Sequence, residues 1–263
     1  MRNWIRAIAL ALMPMAAMAQ DSGLKSLDTT DAGRAWMAVG RLDINGAGFC
    51  TGTLISPTLV LTAAHCLFDK ATGQRVDLSE VEFLAAWRLG RASAYRAARQ
   101  AVIHPDYRYS RETPTARLGN DIALIELWQP IRNTTVIPFE TGDRPRRGAE
   151  VGVVSYARDR AEAPSLQEVC SVMTRQSEVL VMSCDVEFGS SGAPVFSFDG
   201  DRPRIVSVVA AKAEFNGQRV AVGTAVEGSL PLLQAELSAG RGFLAASPNG
   251  ARNRNIGARF IKP

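Results

Sequence analysis

The chain consists of short apolar runs separated by polar turns, with almost no sustained helical period. Asn45-Gly46 lies between the apolar runs 36–44 and 49–55. Asp199-Gly200 and Asn216-Gly217 separate later runs in the same way. Such dipeptides favour the left-handed backbone conformations of tight hairpins. The pattern therefore predicts an all-β protein of many short antiparallel strands.

A polar break at residues 141–148 divides these strands into two similar sets. We therefore predict two six-stranded antiparallel β-barrels, because closure leaves no exposed sheet edge. The N-terminal segment and first barrel would occupy 20–140. The second barrel would occupy 149–240 and end in a short helix at 231–237, with Ser229 as its N-cap. A single β-sandwich is the alternative.

Residues 1–19 have the composition of a signal peptide. Arg2 and Arg6 precede the short apolar stretch 8–15, and Ala17-Met18-Ala19 fits the small-residue cleavage rule. The stretch is shorter than the ~20 residues that a membrane span requires. We expect a secreted or periplasmic protein with no stable membrane insertion after signal removal. An uncleaved membrane anchor is the alternative.

The formal charge of +4 falls to +2 without Arg2 and Arg6, so it indicates no polyanionic partner. No acidic residue follows Glu236, and the end of the chain is basic. We predict that 241–263 is a flexible, solvated tail rather than a nucleic-acid or membrane-binding segment.

Four cysteines in an exported chain indicate two disulfides, for which three pairings exist. We favour Cys50–Cys66 and Cys170–Cys184, since each closes a short local loop. A metal site is the competing interpretation. It is poorly supported, because the chain has only two histidines and no closely spaced cysteine pair.

The segment 189–194, Gly-Ser-Ser-Gly-Ala-Pro, offers serine hydroxyls between glycines. A serine is a weak nucleophile unless a neighbouring base removes its proton. His65, in Thr-Ala-Ala-His-Cys, and Asp121, before the apolar run 122–127, supply a base and a carboxylate upstream. A phosphate-binding loop fits less well, because no lysine follows at the required spacing.

The order His, Asp, Ser in these contexts resembles the chymotrypsin-like serine peptidases, over about residues 34–238. The resemblance implies that Ser191 is the nucleophile, since Gly-x-Pro follows it and not Ser190. It implies His65 as the base and Asp121 as the residue that orients His65. The backbone N–H groups of Gly189 and Ser191 would form the oxyanion hole.

The second histidine, His104, precedes Pro105 and is expected to be structural or on the surface. Asp106 competes with Asp121 for the role of catalytic carboxylate, but no apolar strand follows it.

The chain also departs from the trypsin pattern. Trypsin-like members have an Asp where this chain has Ser190, and the start at 20–35 lacks Ile-Val-Gly-Gly. We therefore expect no activation by a new N-terminus. In this respect the chain resembles the bacterial, glutamyl-endopeptidase-like branch, but no histidine after His104 is available to select glutamate.

Four residues are candidates for a specificity pocket. Asp185 lies six residues before Ser191, where it would either select basic side chains or serve as a structural carboxylate. The other three, by rough alignment, are Ala210, Ala211 and Gly223.

These observations predict an exported serine endopeptidase that acts on protein or peptide substrates through an acyl-enzyme. We expect a monomer with no cofactor, metal ion or nucleic-acid partner. A non-catalytic binding protein with the same fold is the alternative.

Overall fold

The computed structural model describes residues 23–46, 48–110 and 115–245. The predicted signal peptide and the tail beyond residue 245 lie outside the described residues. In chain order the strands are β1 (Leu24–Ser26), β2 (Val39–Ile44), β3 (Gly48–Ser56), β4 (Leu59–Thr62), β5 (Val81–Ala85), β6 (Ala94–Ile103), β7 (Ala123–Leu127), β8 (Glu150–Ala157), β9 (Arg160–Gln176), β10 (Val179–Met182), β11 (Pro194–Ser197), β12 (Arg204–Phe215), β13 (Gln218–Ala225) and β14 (Phe243–Leu244).

Helices are few and short. They are α1 (Thr30–Gly33), α2 (Thr115–Leu118) and α3 (Ser229–Ser238), with 3₁₀ turns at Arg34–Trp36, Ala64–Leu67 and Leu78–Glu80. In the part of the chain that is described, none of them combines the length and hydrophobicity needed to cross a membrane.

Strands β2–β7 form one closed antiparallel barrel and β8–β13 form another. Pairing of β6 with β7 closes the first barrel, and pairing of β8 with β9 closes the second. The predicted fold of two six-stranded barrels is thereby confirmed. The segment 141–148 lies between β7 and β8, on the connection from one barrel to the other.

Each end of the described chain adds a further strand to the barrel that is more distant from it in sequence. β1 pairs with β9 of the second barrel, so the N-terminal segment that we grouped with the first barrel in 20–140 contributes a strand to the second. β14 pairs with β6 of the first barrel. The prediction of a flexible tail from residue 241 onward was therefore wrong for residues 243–244. Both placements follow from backbone groups that the edges of β9 and β6 leave available for pairing.

Two of the predicted turns are tight hairpins. Asn45 and Gly46 have φ of 52° and 60°, and Asn216 and Gly217 have φ of 51° and 74°, all in the left-handed region. Asp199-Gly200 instead lies in a longer loop, since β11 ends at Ser197 and β12 begins at Arg204.

Helix α3 begins earlier than the sequence indicated. Gly228 occupies its N-cap position, and Ser229 lies in the first turn without capping it. The backbone N–H of Leu230 already bonds to the carbonyl of Val226 at 2.9 Å. The prediction of Ser229 as N-cap was therefore wrong.

Three aromatic rings pack where the two barrels meet. The ring centroids of Trp36 and Phe196 are 5.0 Å apart, and those of Phe139 and Phe196 are 4.7 Å apart. Trp36 precedes the first barrel, Phe139 lies on the connection between the barrels, and Phe196 is on β11 of the second. Their packing joins the two halves of the molecule through apolar contact.

We expect Trp36→Ala to lower the free energy of unfolding by about 3–5 kcal/mol, because it opens a cavity in this cluster. Trp36 is 7% exposed, whereas Trp128 is 38% exposed. Trp128→Ala is therefore the matched control and should cost less than about 1 kcal/mol. Denaturant unfolding of both variants measures the difference, and equal losses would contradict an inter-barrel role for Trp36.

Candidate active site

His65 lies in the 3₁₀ turn that follows β4. Its neighbour Cys66 forms a disulfide with Cys50 on β3, which ties the turn to the first barrel. A second disulfide joins Cys170 to Cys184. Both pairings are those favoured from the sequence, and they are confirmed.

Asp121 precedes β7, and its side chain is fully buried. Its Oδ2 accepts a hydrogen bond from His65 Nδ1 at 2.7 Å, and its Oδ1 accepts one from the His65 backbone N–H at 2.8 Å. The two bonds fix both the position and the orientation of the imidazole. Because the proton in this hydrogen bond is on Nδ1, Nε2 of the neutral ring has no proton and can accept one.

Ser191 lies in a sharply turned loop between β10 and β11. Gly189 and Gly192 on either side have φ of 104° and 79°, which disfavour any residue with a Cβ. A Cβ on Gly192 would also collide with Thr62 Oγ1 and the Thr51 carbonyl oxygen, so the loop lies directly against the first barrel. The backbone N–H of Thr51 bonds to the Ser191 carbonyl oxygen at 2.8 Å.

Along this loop, backbone N–H groups that donate a hydrogen bond within the described part of the protein alternate with N–H groups that donate none. Ser190 N–H donates to the Glu187 carbonyl oxygen and Gly192 N–H to that of Val209. Among the described residues, the N–H groups of Gly189 and Ser191 donate to no protein acceptor. The loop thus presents two unused donors, two residues apart.

Buried hydroxyl groups hold the loop from behind. Ser190 is fully buried, and its Oγ lies 3.2 Å from Ser155 Oγ and 3.3 Å from the Tyr156 carbonyl oxygen. Arg160 Nη1 donates to the Ser155 carbonyl oxygen at 2.6 Å, and its Nη2 donates to Ser155 Oγ at 3.2 Å. Thr51 Oγ1 donates to the Gly189 carbonyl oxygen at 2.9 Å.

His65 and Ser191 both line one cleft, with a volume of about 380 Å³. No hydrogen bond joins Ser191 Oγ to the His65 ring among the described residues, a separation common where no substrate is bound. The apolar wall of this cleft consists of Val186, Val209, Ala210 and Ala211.

A charged pair lies on the same cleft. Lys212 Nζ donates to Glu187 Oε2 at 2.8 Å. This hydrogen bond lowers the pKa of Glu187 below its ordinary value.

Two of the four candidate pocket residues do not line this cleft. Asp185 Oδ2 lies 3.5 Å from Arg219 Nη2, so the carboxylate is engaged in an ion pair. Gly223 lies inside the second barrel, where a Cβ would collide with Ser207 Oγ. Ala210 and Ala211 do line the cleft, as the sequence indicated.

His104 is a buried residue that lies outside this cleft. Its Nδ1 accepts a hydrogen bond from the Asp106 backbone N–H at 3.3 Å. Burial lowers the pKa of His104, although the carboxylates of Asp106 and Glu178 oppose that change. Neither His104 nor Asp106 is therefore placed to replace His65 or Asp121.

One group of possible metal ligands occurs among the described residues. Ligand atoms of Cys50, His65 and Cys66 lie within 4.8 Å of one another. The two sulfurs form a disulfide, and metal binding requires thiolates. The chemistry of this group therefore does not fit a metal ion.

The trypsin-like peptidase domain model matches residues 50–202, and the chain belongs to this family. The resemblance inferred from the sequence is thereby confirmed.

Two curated proteins are similar to the chain. Glutamyl endopeptidase of Bacillus licheniformis is 28% identical over 160 residues, covering 59% of this chain and 47% of that protein. Mannan-binding lectin serine protease 1 of Homo sapiens is 27% identical over 125 residues, covering 43% of this chain and 17% of that protein. The chain thus spans less than half the length of these two relatives.

A solved structure described as Glu endopeptidase in complex with MPD has the same fold. It superposes with a TM-score of 0.68 at 18% identity, covering 84% of this chain and 98% of that one.

We expect His104 to make the protein less stable on mild acidification. Its pKa is lower in the folded state, so the unfolded state binds more protons as the pH falls through about 6.5. His104→Asn keeps an acceptor near the position of Nδ1 but does not titrate in this range. The loss of unfolding free energy between about pH 7.5 and 5.5 should be smaller in the variant than in the wild type. An equal loss in both would contradict the prediction.

Proposed function

We propose that this chain is an exported serine endopeptidase that cleaves protein substrates through an acyl-enzyme. The proposal depends above all on the doubly bonded pair of His65 and Asp121 in the cleft that Ser191 also lines. Membership of the trypsin-like peptidase family supports the same chemistry.

In the acylation step, Ser191 Oγ attacks the scissile carbonyl carbon while His65 Nε2 takes the hydroxyl proton. Asp121 stabilises the imidazolium that forms, at no cost in reorientation, because its two hydrogen bonds to His65 already exist. His65 then gives the proton to the leaving amine. Water repeats the sequence on the acyl-enzyme and releases the second product.

The negative charge of the tetrahedral intermediate falls on the former carbonyl oxygen. The unused N–H groups of Gly189 and Ser191 are the donors that we assign to it. Removing one such donor in a serine protease costs about 2.7–4 kcal/mol of transition-state stabilisation. The left-handed φ of Gly189 explains why this position is a glycine.

Export is supported by the composition of residues 1–19 and by the two disulfides. Disulfides persist in oxidising compartments and are rare in the cytosol. We therefore assign the mature protein to the periplasm or the extracellular medium.

Ser191→Ala should abolish covalent labelling by a fluorophosphonate probe, because the probe reacts with an activated serine hydroxyl. Ser190→Ala is the matched control, since Ser190 is buried and bonds to Ser155 and Tyr156 rather than facing the cleft. It should still be labelled, at a reduced rate. Mass measurement of the labelled protein gives both results.

Labelling that survives Ser191→Ala but disappears in Ser190→Ala would reverse the assignment of the nucleophile. A wild-type protein that is folded but never labelled would instead support the non-catalytic binding protein.

We expect the side chain before the scissile bond to be aliphatic rather than basic. The apolar wall of the cleft consists of Val186, Val209, Ala210 and Ala211, and among the described residues the cleft offers no unpaired carboxylate, since Glu187 bonds to Lys212. Peptides with Val or Leu at this position should be cleaved with a kcat/KM at least about tenfold above the Arg peptide.

Asp185→Asn provides the decisive variant, because Asp185 is paired with Arg219 outside the cleft. Its ratio of aliphatic to Arg cleavage should equal that of the wild type. A selective loss of cleavage after Arg in this variant would assign specificity to Asp185 after all.

A further inference from the structure

A second cavity of about 550 Å³ adjoins the cleft at His65, Lys70 and Phe188. It is also lined by the Cys50–Cys66 disulfide, Phe49 and Gly189, but not by Ser191 or by the wall of β12. His65 must pass its proton to the leaving amine, so the leaving half of a substrate has to lie on the His65 side of the bond. The second cavity is therefore where the residues after the scissile bond would bind. This inference rests on the proposed function.

Phe188 separates the two cavities and is 54% exposed. Three cationic groups surround its ring. Lys212 Nζ lies 4.4 Å from the ring centroid, Arg158 Cζ lies 5.4 Å from it, and Lys70 Nζ lies 5.9 Å from it. The electron-rich face of an aromatic ring attracts cations at these distances. The three cationic side chains are therefore held around Phe188, the residue next to Gly189 in the chain.

Only part of this charge is neutralised within the protein. Lys212 pairs with Glu187 at 2.8 Å. Among the described residues, Lys70 and Arg158 make no ion pair with a carboxylate.

The second cavity is also lined by carboxylates, two of which are held by hydrogen bonds within their own turns. Asp69 accepts hydrogen bonds from Thr72 and Ala71 in its own turn, and these bonds, chiefly those from Thr72, lower its pKa. Asp77 similarly accepts from Ser79. Glu80 lies beside the β2–β3 turn, where its carbonyl oxygen bonds to the Asn45 N–H. Among the described residues, the cavity as a whole is therefore lined by equal numbers of acidic and basic side chains, but close to the Phe188 ring Lys70 and Arg158 have no carboxylate in an ion pair with them.

We propose that Lys70 and Arg158, held around Phe188, form a subsite for an acidic side chain at the first or second position after the scissile bond. The substrate backbone would pass over Phe188 while the carboxylate reaches Lys70, Arg158 or both. The enzyme would then combine an aliphatic residue before the cleaved bond with Asp or Glu after it.

Exposed charge pairs each contribute modestly, in a range that corresponds to about a 1.4-fold to fivefold change in an equilibrium constant. With two cations acting together, we expect a Glu peptide to exceed its Gln counterpart by about threefold to tenfold in kcat/KM. The preference should decrease with added salt, because the side chains involved are exposed and screened.

The test begins by mapping the cleavage sites that the mature enzyme produces in an unfolded protein, by mass spectrometry. A quenched fluorescent peptide is then built around a strong site, with Glu or Gln at the first or second following position and an amidated C-terminus. A free-acid version separates recognition of a side-chain carboxylate from that of a terminal carboxylate. The measured quantity is the Glu-to-Gln ratio of kcat/KM at low and high salt.

The variant is Lys70→Gln combined with Arg158→Gln, in which the ratio should fall to about one. Lys25→Gln is the control, because this exposed lysine pairs with Glu168 and lines neither cavity. It should keep the wild-type ratio. Fluorophosphonate labelling confirms that each variant retains a folded active site.

A wild-type ratio near one, or a ratio that the double variant retains, would overturn the subsite while leaving the peptidase assignment in place. A preference confined to free-acid peptides would overturn it too, in favour of terminal carboxylate recognition. A protein that cleaves no peptide and takes up no probe would overturn the proposed function and the subsite together.

Discussion

Contact between Thr51 and the Ser191 loop is the constraint on which the site depends. Thr51 belongs to β3 of the first barrel, yet its N–H and Oγ1 bond to the carbonyl oxygens of Ser191 and Gly189. Its Oγ1 also accepts from the N–H of Tyr156 in the second barrel. Because His65 comes from one barrel and Ser191 from the other, this residue sets their separation. The same two bonds occupy the Gly189 and Ser191 carbonyl oxygens, so both residues that offer a free N–H are anchored to the first barrel through their carbonyl groups.

The loop is held by a network of hydroxyl groups, supported by the Arg160 guanidinium, where trypsin-like relatives use a buried ion pair. Ser190 contacts Ser155 and Tyr156, and Arg160 fixes Ser155 in turn. A buried ion pair incurs a large desolvation penalty, whereas a hydroxyl network needs only matched donors and acceptors. Among the described residues, no ammonium group takes part in this network. The N-terminal strand β1 instead pairs with β9.

The features that could be predicted are those encoded locally. The positive φ at Asn45 and Asn216 follows from adjacent residues, and His65 and Ser191 stand in short motifs. Asp185 and Gly223 could not be placed, because their surroundings depend on Arg219 and Ser207, which are distant in sequence. The cations around Phe188 could not be predicted either, because Lys70 and Arg158 lie in turns of different barrels and Lys212 lies on β12. No sequence motif indicates the roles of Thr51, Ser155 or Arg160. Only the folded chain reveals which of these groups meet.

The pairing of β1 with the second barrel and of β14 with the first affects how the protein unfolds. In the described chain, the connections from β1 to β2, from β7 to β8 and from β13 to β14 each run between the barrels. Helix α3, which follows β13, packs against β6 and β7 of the first barrel. Neither barrel can lose its structure without releasing a strand or helix that belongs in sequence to the other. The two barrels should therefore melt in a single transition, as one cooperative unit rather than as two domains.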